Sequence, residues 1–159
     1  MISLLRLDDR LVHGQVAVVW SQYLQIDAIV VANEKVANDP VQQMATKMAV
    51  SKDIKLAILK PEDAVNLLNN PKAEKMKILV VVDNVDDALT IAENVEGVKK
   101  INIGNYGQQQ RKPGKRALTR EVFVEDSDVE LFRKAIDKGF ELEVQLTPND
   151  TPVNIKNLI

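Results

Sequence analysis

Apolar residues in this chain gather in short runs, and amphipathic stretches separate them. The runs predict strands at Ile2–Leu7, Asp27–Ala32, Lys55–Leu59, Ile78–Asp83, Ile101–Gly104, Val122–Val124 and Leu142–Leu146. Two of them, "AIVVA" and "ILVVVD", are nearly continuous Val, Ile and Leu. Strands covered on both faces read this way, because neither side chain direction meets water.

The stretches between them carry helix signals. Gly14–Leu24 starts at a glycine and is mostly apolar. Asp39 before Pro40 is an N-cap with proline in the first turn, opening a helix through about Ala49. Pro61, Glu62 and Asp63 open the next, with acids where the helix dipole favours them. Asn84 or Asp86 caps a helix to Asn94 closed by Gly97, and Ser127 caps Asp128–Lys138 closed by Gly139. Trp20, Met44 and Met48 fall at helical positions and are expected in the core. Strand alternating with helix predicts an α/β fold: a single doubly wound, mostly parallel sheet of about seven strands with helices on both faces, parallel at least in the first five. The run order places strand 1 centrally, between strand 2 and strand 4. The stretch "GNYGQQQRKPGKR" at 104–116 has no apolar period and reads as a loop. Its Arg111, Lys112, Lys115 and Arg116 read more readily as a solvated basic loop than as a binding site.

Composition narrows the function. A chain of 159 residues with 45% apolar and 28% charged residues fits one soluble globular domain over 1–159. No apolar run approaches the roughly 20 residues that span a bilayer, and the start lacks a signal peptide's layout, so a cytoplasmic protein is expected. With no cysteine there is neither a disulfide framework nor a thiolate site, and one histidine argues against zinc. A net charge of −2 argues against nucleic acid as the main partner. No phosphate-loop or dinucleotide fingerprint is present.

The lone histidine stands in "RLDDRLVHGQV", residues 6–16. If strand 1 ends near Leu7, then His13 lies past its carboxyl end, where open α/β sheets bind ligands. It immediately precedes a helix, whose first N–H groups and dipole favour an anion. Gly14 lets backbone approach closely, as a nest around phosphate oxygens requires, and Arg10 adds a planar fork. Asp8 or Asp9 can accept one ring N–H and leave the other nitrogen free to attack. An ordinary loop histidine paired to Asp9 fits the same residues. Asp83 ends strand 4, where it can cap the next helix or line the same pocket. A rival arrangement is a receiver-type domain, with Asp8 and Asp9 as a metal-binding pair and Asp83 as phosphoacceptor. Against it, Asp83 ends the fourth strand where the third is expected, strand 5 lacks the usual lysine, and the chain is longer than such a domain needs.

The same stretch resembles the phosphorylation-site segment of enzyme IIB subunits of the mannose/fructose/sorbose family of the sugar phosphotransferase system. The usual form there is Arg-Ile-Asp-Asp-Arg-Leu-Ile-His-Gly-Gln-Val, from which Leu7 and Val12 are mild departures. The resemblance continues through Trp20, "INIGNYG" at 101–107, "ALTREVFV" at 117–124 and "DKGFELEVQLTPND" at 137–150. It implies that His13 accepts a phosphoryl group from the phosphohistidine of an enzyme IIA and passes it to a sugar held by membrane IIC and IID subunits. Arg10 would neutralise phosphoryl charge, the Gly14, Gln15 and Val16 amides would cradle it, and Asp8 would orient the ring. The protein would be a cytoplasmic phosphotransferase component, peripherally associated with its transporter, with no metal and no cofactor. Gln145 departs from the family, standing where many relatives carry a basic residue.

Overall fold

The computed structural model describes residues 1–108 and 114–159, Gln15 by its backbone alone. Among the described residues nine strands form, β1 (Ile2–Leu7), β2 (Ala28–Ala32), β3 (Lys55–Leu59), β4 (Ile78–Val82), β5 (Lys100–Ile103), β6 (Arg116–Ala117), β7 (Phe123–Val124), β8 (Glu141–Val144) and β9 (Val153–Asn154). Seven build one sheet in the order β3-β2-β4-β1-β5-β8-β9, parallel except where β9 runs antiparallel to β8. The helices are α1 (Ser21–Leu24), α2 (Glu34–Ala37), α3 (Pro40–Ala49), α4 (Pro61–Leu68), α5 (Val85–Asn94) and α6 (Asp126–Asp137). A widened π-type segment, Gln15–Trp20, runs directly into α1.

β1 is central, but β4 and β5 flank it, not β2. Chain order mispredicted this neighbour. Every residue of β2 and β4 is buried, so "AIVVA" and "ILVVV" both need cover on two faces and pair with each other. One face carries the larger apolar cluster: Leu5, Leu7, Val80, Val82, Ile101 and Ile103 under Ile91 and Ala92 of α5 and Phe132 of α6. The other carries Ile29, Val31, Leu79 and Val81 under Val16 and Trp20. Helices therefore lie on both faces, as predicted.

Four further expectations are corrected. The predicted sixth strand leaves the main sheet: Phe123–Val124 pairs with Arg116–Ala117 in a separate ribbon. The seventh place in the sheet goes to Val153–Asn154, two residues beside Pro152, too short to show a period. The cap of α6 is Glu125, whose N–H donates to Asp128 Oδ2 at 2.9 Å, leaving Ser127 within the first turn. Trp20 is buried, but Met44 and Met48 are 66% and 83% exposed. Gln43 occupies the inner side of α3, donating to the Val36 and Ala37 carbonyls, and so turns those methionines outward. The other caps stand as read: Asp39 on α3, and Asn84, not Asp86, on α5.

Candidate functional site

The site grows from the carboxyl end of β1. Asp8 N–H donates to Val82 O at 2.9 Å and Asp9 N–H to Asn105 O at 2.8 Å, tying the chain to both neighbouring strand ends. Leu11 then takes a left-handed conformation (φ 55°) while its N–H returns to Asp8 O. Such a backbone is costly for a branched residue and persists only where surroundings impose it. The turn delivers His13 to the helix start, where its carbonyl accepts Ala17 N–H at 2.8 Å. The His13 side chain keeps 19% of its surface exposed. It stands at the sheet's carboxyl edge, as the sequence predicted.

Asp8, not Asp9, is its partner. His13 Nε2 lies 3.3 Å from Asp8 Oδ2. A carboxylate there requires the ring proton on Nε2 and leaves the Nδ1 lone pair free. Asp9 instead accepts Gln108 N–H. The same Asp8 oxygen accepts from Arg6 Nη2 at 3.3 Å, and both side chains are fully buried. Arg6 on β1 and Asp8 just past its end are two apart and so share one face. Arg6 also donates to Asn102 Oδ1 at 2.5 Å, Gln145 O at 3.0 Å and Leu146 O at 3.1 Å. Its guanidinium carbon lies 5.3 Å from the Trp20 ring centre. Burial lowers the Arg6 pKa to about 10 against the opposing pull of Asp8. Burial alone would raise Asp8, but the His13 hydrogen bond, the Arg6 charge and the Arg10 N–H together bring it below the ordinary carboxylate range.

Arg10 lies alongside. Its N–H donates to Asp8 Oδ1 at 3.0 Å, and its Nε stands 3.6 Å from that oxygen. The Asn105 side-chain amide faces the same guanidinium. With 39% of its side chain exposed, Arg10 presents part of its guanidinium to solvent beside Asp8. Gly14 has ordinary right-handed helical angles, and a methyl there would meet nothing within 4 Å. Neither the turn nor its packing demands glycine, so only an approaching group would. Val16 is buried, so of the three predicted cradle residues it offers only its backbone. Gln145 turns its amide to Pro148 O and Asp150 O, serving its own loop.

Asp83 accepts from Asn84 Nδ2 at 2.7 Å and lines a neighbouring polar cleft of about 310 Å³ with Asp9, Lys35, Tyr106 and Lys115. The Tyr106 hydroxyl donates to Asp128 at 2.6 Å, and burial followed by this contact raises its pKa. Arg111 and Lys112 of the predicted basic loop lie outside the described residues. Among the described residues, no cluster of three His, Cys, Asp or Glu could hold a metal.

Sequence reasoning missed Arg6, Asn102 and Gly104. A methyl group on Gly104 would overlap Arg6 Nη2 and stand 2.5 Å from Asp8 Oδ2. Arg6 and Asn102 are register partners on β1 and β5. The signal was present: an arginine inside an apolar strand, two residues before an aspartate.

The Asp8 shift sets a pH dependence. A carboxyl whose native pKa is depressed stabilises the fold above its unfolded value, about 4, and that contribution is lost as pH falls through the native value. Acid denaturation of Asp8→Asn should therefore show a shallower loss of stability below about pH 4 than wild type, read by circular dichroism.

Residues 2–159 match the profile of the phosphotransferase-system sorbose subfamily IIB component. A probable phosphotransferase enzyme IIB component of Streptococcus pyogenes serotype M6 is 36% identical over 163 residues, covering 100% of this chain and 99% of that one. The mannose-specific EIIAB component of Escherichia coli K12 is 30% identical, and this chain spans 48% of it. The crystal structure of the IIB domain of the Klebsiella pneumoniae sorbose permease superposes with a TM-score of 0.88 at 31% identity, covering 99% of this chain and 94% of that one. A match of nearly the whole length sets aside the receiver-type alternative on Asp83: the chain belongs to the sorbose subfamily of IIB components of the sugar phosphotransferase system.

Proposed function

We propose that the whole chain is one phosphocarrier domain that takes a phosphoryl group on His13 from phosphohistidine of an enzyme IIA and gives it to a sugar held by membrane IIC and IID subunits. The observation carrying this is the Asp8–His13 contact at 3.3 Å, which leaves the Nδ1 lone pair available at the exposed sheet edge. That one relative is called an EIIAB component supports a IIA domain as donor. No helix among the described residues is long and apolar enough to cross a membrane.

In the first step the Nδ1 lone pair forms a bond to phosphorus while the donor's N–P bond breaks, its electron pair returning to the donor ring. The His13 ring keeps its Nε2 proton and gains positive charge, which the Asp8 carboxylate stabilises. In the second step a sugar hydroxyl oxygen attacks phosphorus, the P–Nδ1 pair returns to His13, and the hydroxyl proton is released. The charge that Asp8 supports makes the ring a good leaving group. Arg10 and the amides of residues 14–16 hold the phosphoryl oxygens; a forked guanidinium binds two where an ammonium offers a point charge.

Arg10→Lys should fold normally and transfer more slowly, by about 2–4 kcal/mol in the transition state, as for loss of a single oxyanion donor, with Arg10→Ala slower still. Were Arg10 only the ion pair with Asp8 seen here, either change would cost about 0–1 kcal/mol of stability and no rate. Stopped-flow transfer from phosphorylated IIA, followed by sugar phosphorylation in vesicles bearing IIC and IID, tests the assignment. Wild-type rates in Arg10→Ala, or no uptake from IIA by the wild type, would refute it.

A further inference from the structure

We propose that Arg6 is a positioning residue for phosphoryl transfer: enclosed by Asn102, the Gln145–Leu146 backbone and the Trp20 ring, it fixes the Asp8 carboxylate that holds His13 Nε2. The proposal rests on His13 being the acceptor and adds the group that orients it from within the sheet.

Stability alone gives no reason for this arrangement. A fully buried ion pair is commonly no more stabilising than apolar side chains of similar volume. Here the pair interrupts the smaller apolar face, where Leu4 packs against the cluster that holds Trp20 and Val81. What the pair does supply is a fixed reference. Asp8 begins a turn that continues through a left-handed Leu11, so its own backbone is the last regular point before the site. Arg6 sits on β1, and its other contacts are to β5 and to the chain leaving β8. Three adjacent strands therefore converge on one guanidinium.

The fork is then read outward. Oδ2 of Asp8 lies 3.3 Å from both Arg6 Nη2 and His13 Nε2, so one oxygen bridges the buried cation and the half-buried ring. Oδ1 is held by the Arg10 N–H. With both oxygens held, the carboxylate cannot rotate, and the ring plane follows it. Trp20 closes the arrangement, since its indole N–H donates to the same Leu146 carbonyl at 3.0 Å that accepts from Arg6. A guanidinium can point at two carbonyls, an amide oxygen and a carboxylate together; an ammonium cannot.

The test uses the unphosphorylated chain as well as transfer. With a single histidine, its ring signals are unambiguous in proton–nitrogen NMR. Wild type should show a downfield, slowly exchanging Nε2 proton. In Arg6→Met that proton should broaden into solvent exchange, and phosphoryl uptake from IIA should fall at least tenfold. Asp8→Asn should behave the same way, and Arg6→Met added to Asp8→Asn should slow uptake no further, because Arg6 acts through Asp8. If Arg6→Met does not fold, Arg6→Lys keeps the charge without the fork and should show the same broadening with slower uptake. A folded Arg6 variant with the wild-type Nε2 signal overturns the proposal whatever its rate. So does further slowing in the double variant. Failure of wild type to accept phosphate on His13 would strike the functional reading instead, and leaves the ring signals to decide the role of Arg6.

Discussion

His13→Ala will carry no acid-labile phosphate after incubation with phosphorylated IIA, and it will fold as wild type does. His13 carries the single imidazole in the chain, and Nδ1 is the ring nitrogen that the Asp8 contact leaves free. Asp83, the other phosphoacceptor considered from the sequence, already accepts from Asn84 beside the α5 cap. An acyl phosphate there would be sensitive to base and hydroxylamine, whereas a phosphoimidazole survives mild base. Stability should fall by about 1.5–3 kcal/mol, the worth of one hydrogen bond to a charged group, because Asp8 loses the ring but keeps Arg6 and the Arg10 N–H. The measurement pairs radiolabel retention under acid and base with a thermal melt. Label surviving in a folded His13→Ala would show that another residue accepts the group.

Gly104→Ala will lose both stability and phosphoryl transfer. The added methyl would overlap Arg6 Nη2 and lie 2.6 Å from Arg6 Cζ. Flexible side chains usually swing clear of such a clash. Arg6 cannot, since its guanidinium is wholly buried and held by Asn102, Gln145, Leu146 and Asp8. Displacing it leaves the Asp8 charge buried without its cation, a cost of about 3–5 kcal/mol. Gly14→Ala provides the contrast, because a methyl there meets nothing and the backbone angles are helical. Urea titrations of the two variants should differ by several kcal/mol, with Gly14→Ala near wild type. Equal stabilities would mean that the close approach of Gly104 to the ion pair is not what requires glycine.

These two glycines show how far the sequence could be read. Periodicity located β1 to β5 almost to the residue, because each is a compact apolar run. It could not order them: a crossover long enough to hold a helix can also skip a strand, and β4 entered between β1 and β2. The two-residue strands β6 and β9 carry no period at all. At the site, position and residue type singled out His13, Asp8 and Arg10 because they cluster in sequence. Asn102 and Gly104 come from β5 and its exit, nearly a hundred residues on, and only the register of β1 with β5 brings them to Arg6. Gly14 drew attention for the close approach it permits to an incoming group, while Gly104 is the glycine that a close approach within the fold demands. The exposed methionines of α3 misled for a related reason: helical spacing marks a face, but the caps and Gln43 decide which way that face turns.

The claim on which the mechanism depends is that Asp8 holds Nε2 and leaves Nδ1 to carry phosphate. Long-range proton–nitrogen NMR of the phosphorylated chain reads this directly, since one histidine gives one pair of ring nitrogens. The account predicts a single phosphorylated nitrogen, Nδ1 of His13, with the Nε2 proton retained. Phosphate on Nε2, or a ring left unmodified while the chain carries phosphate elsewhere, would contradict it.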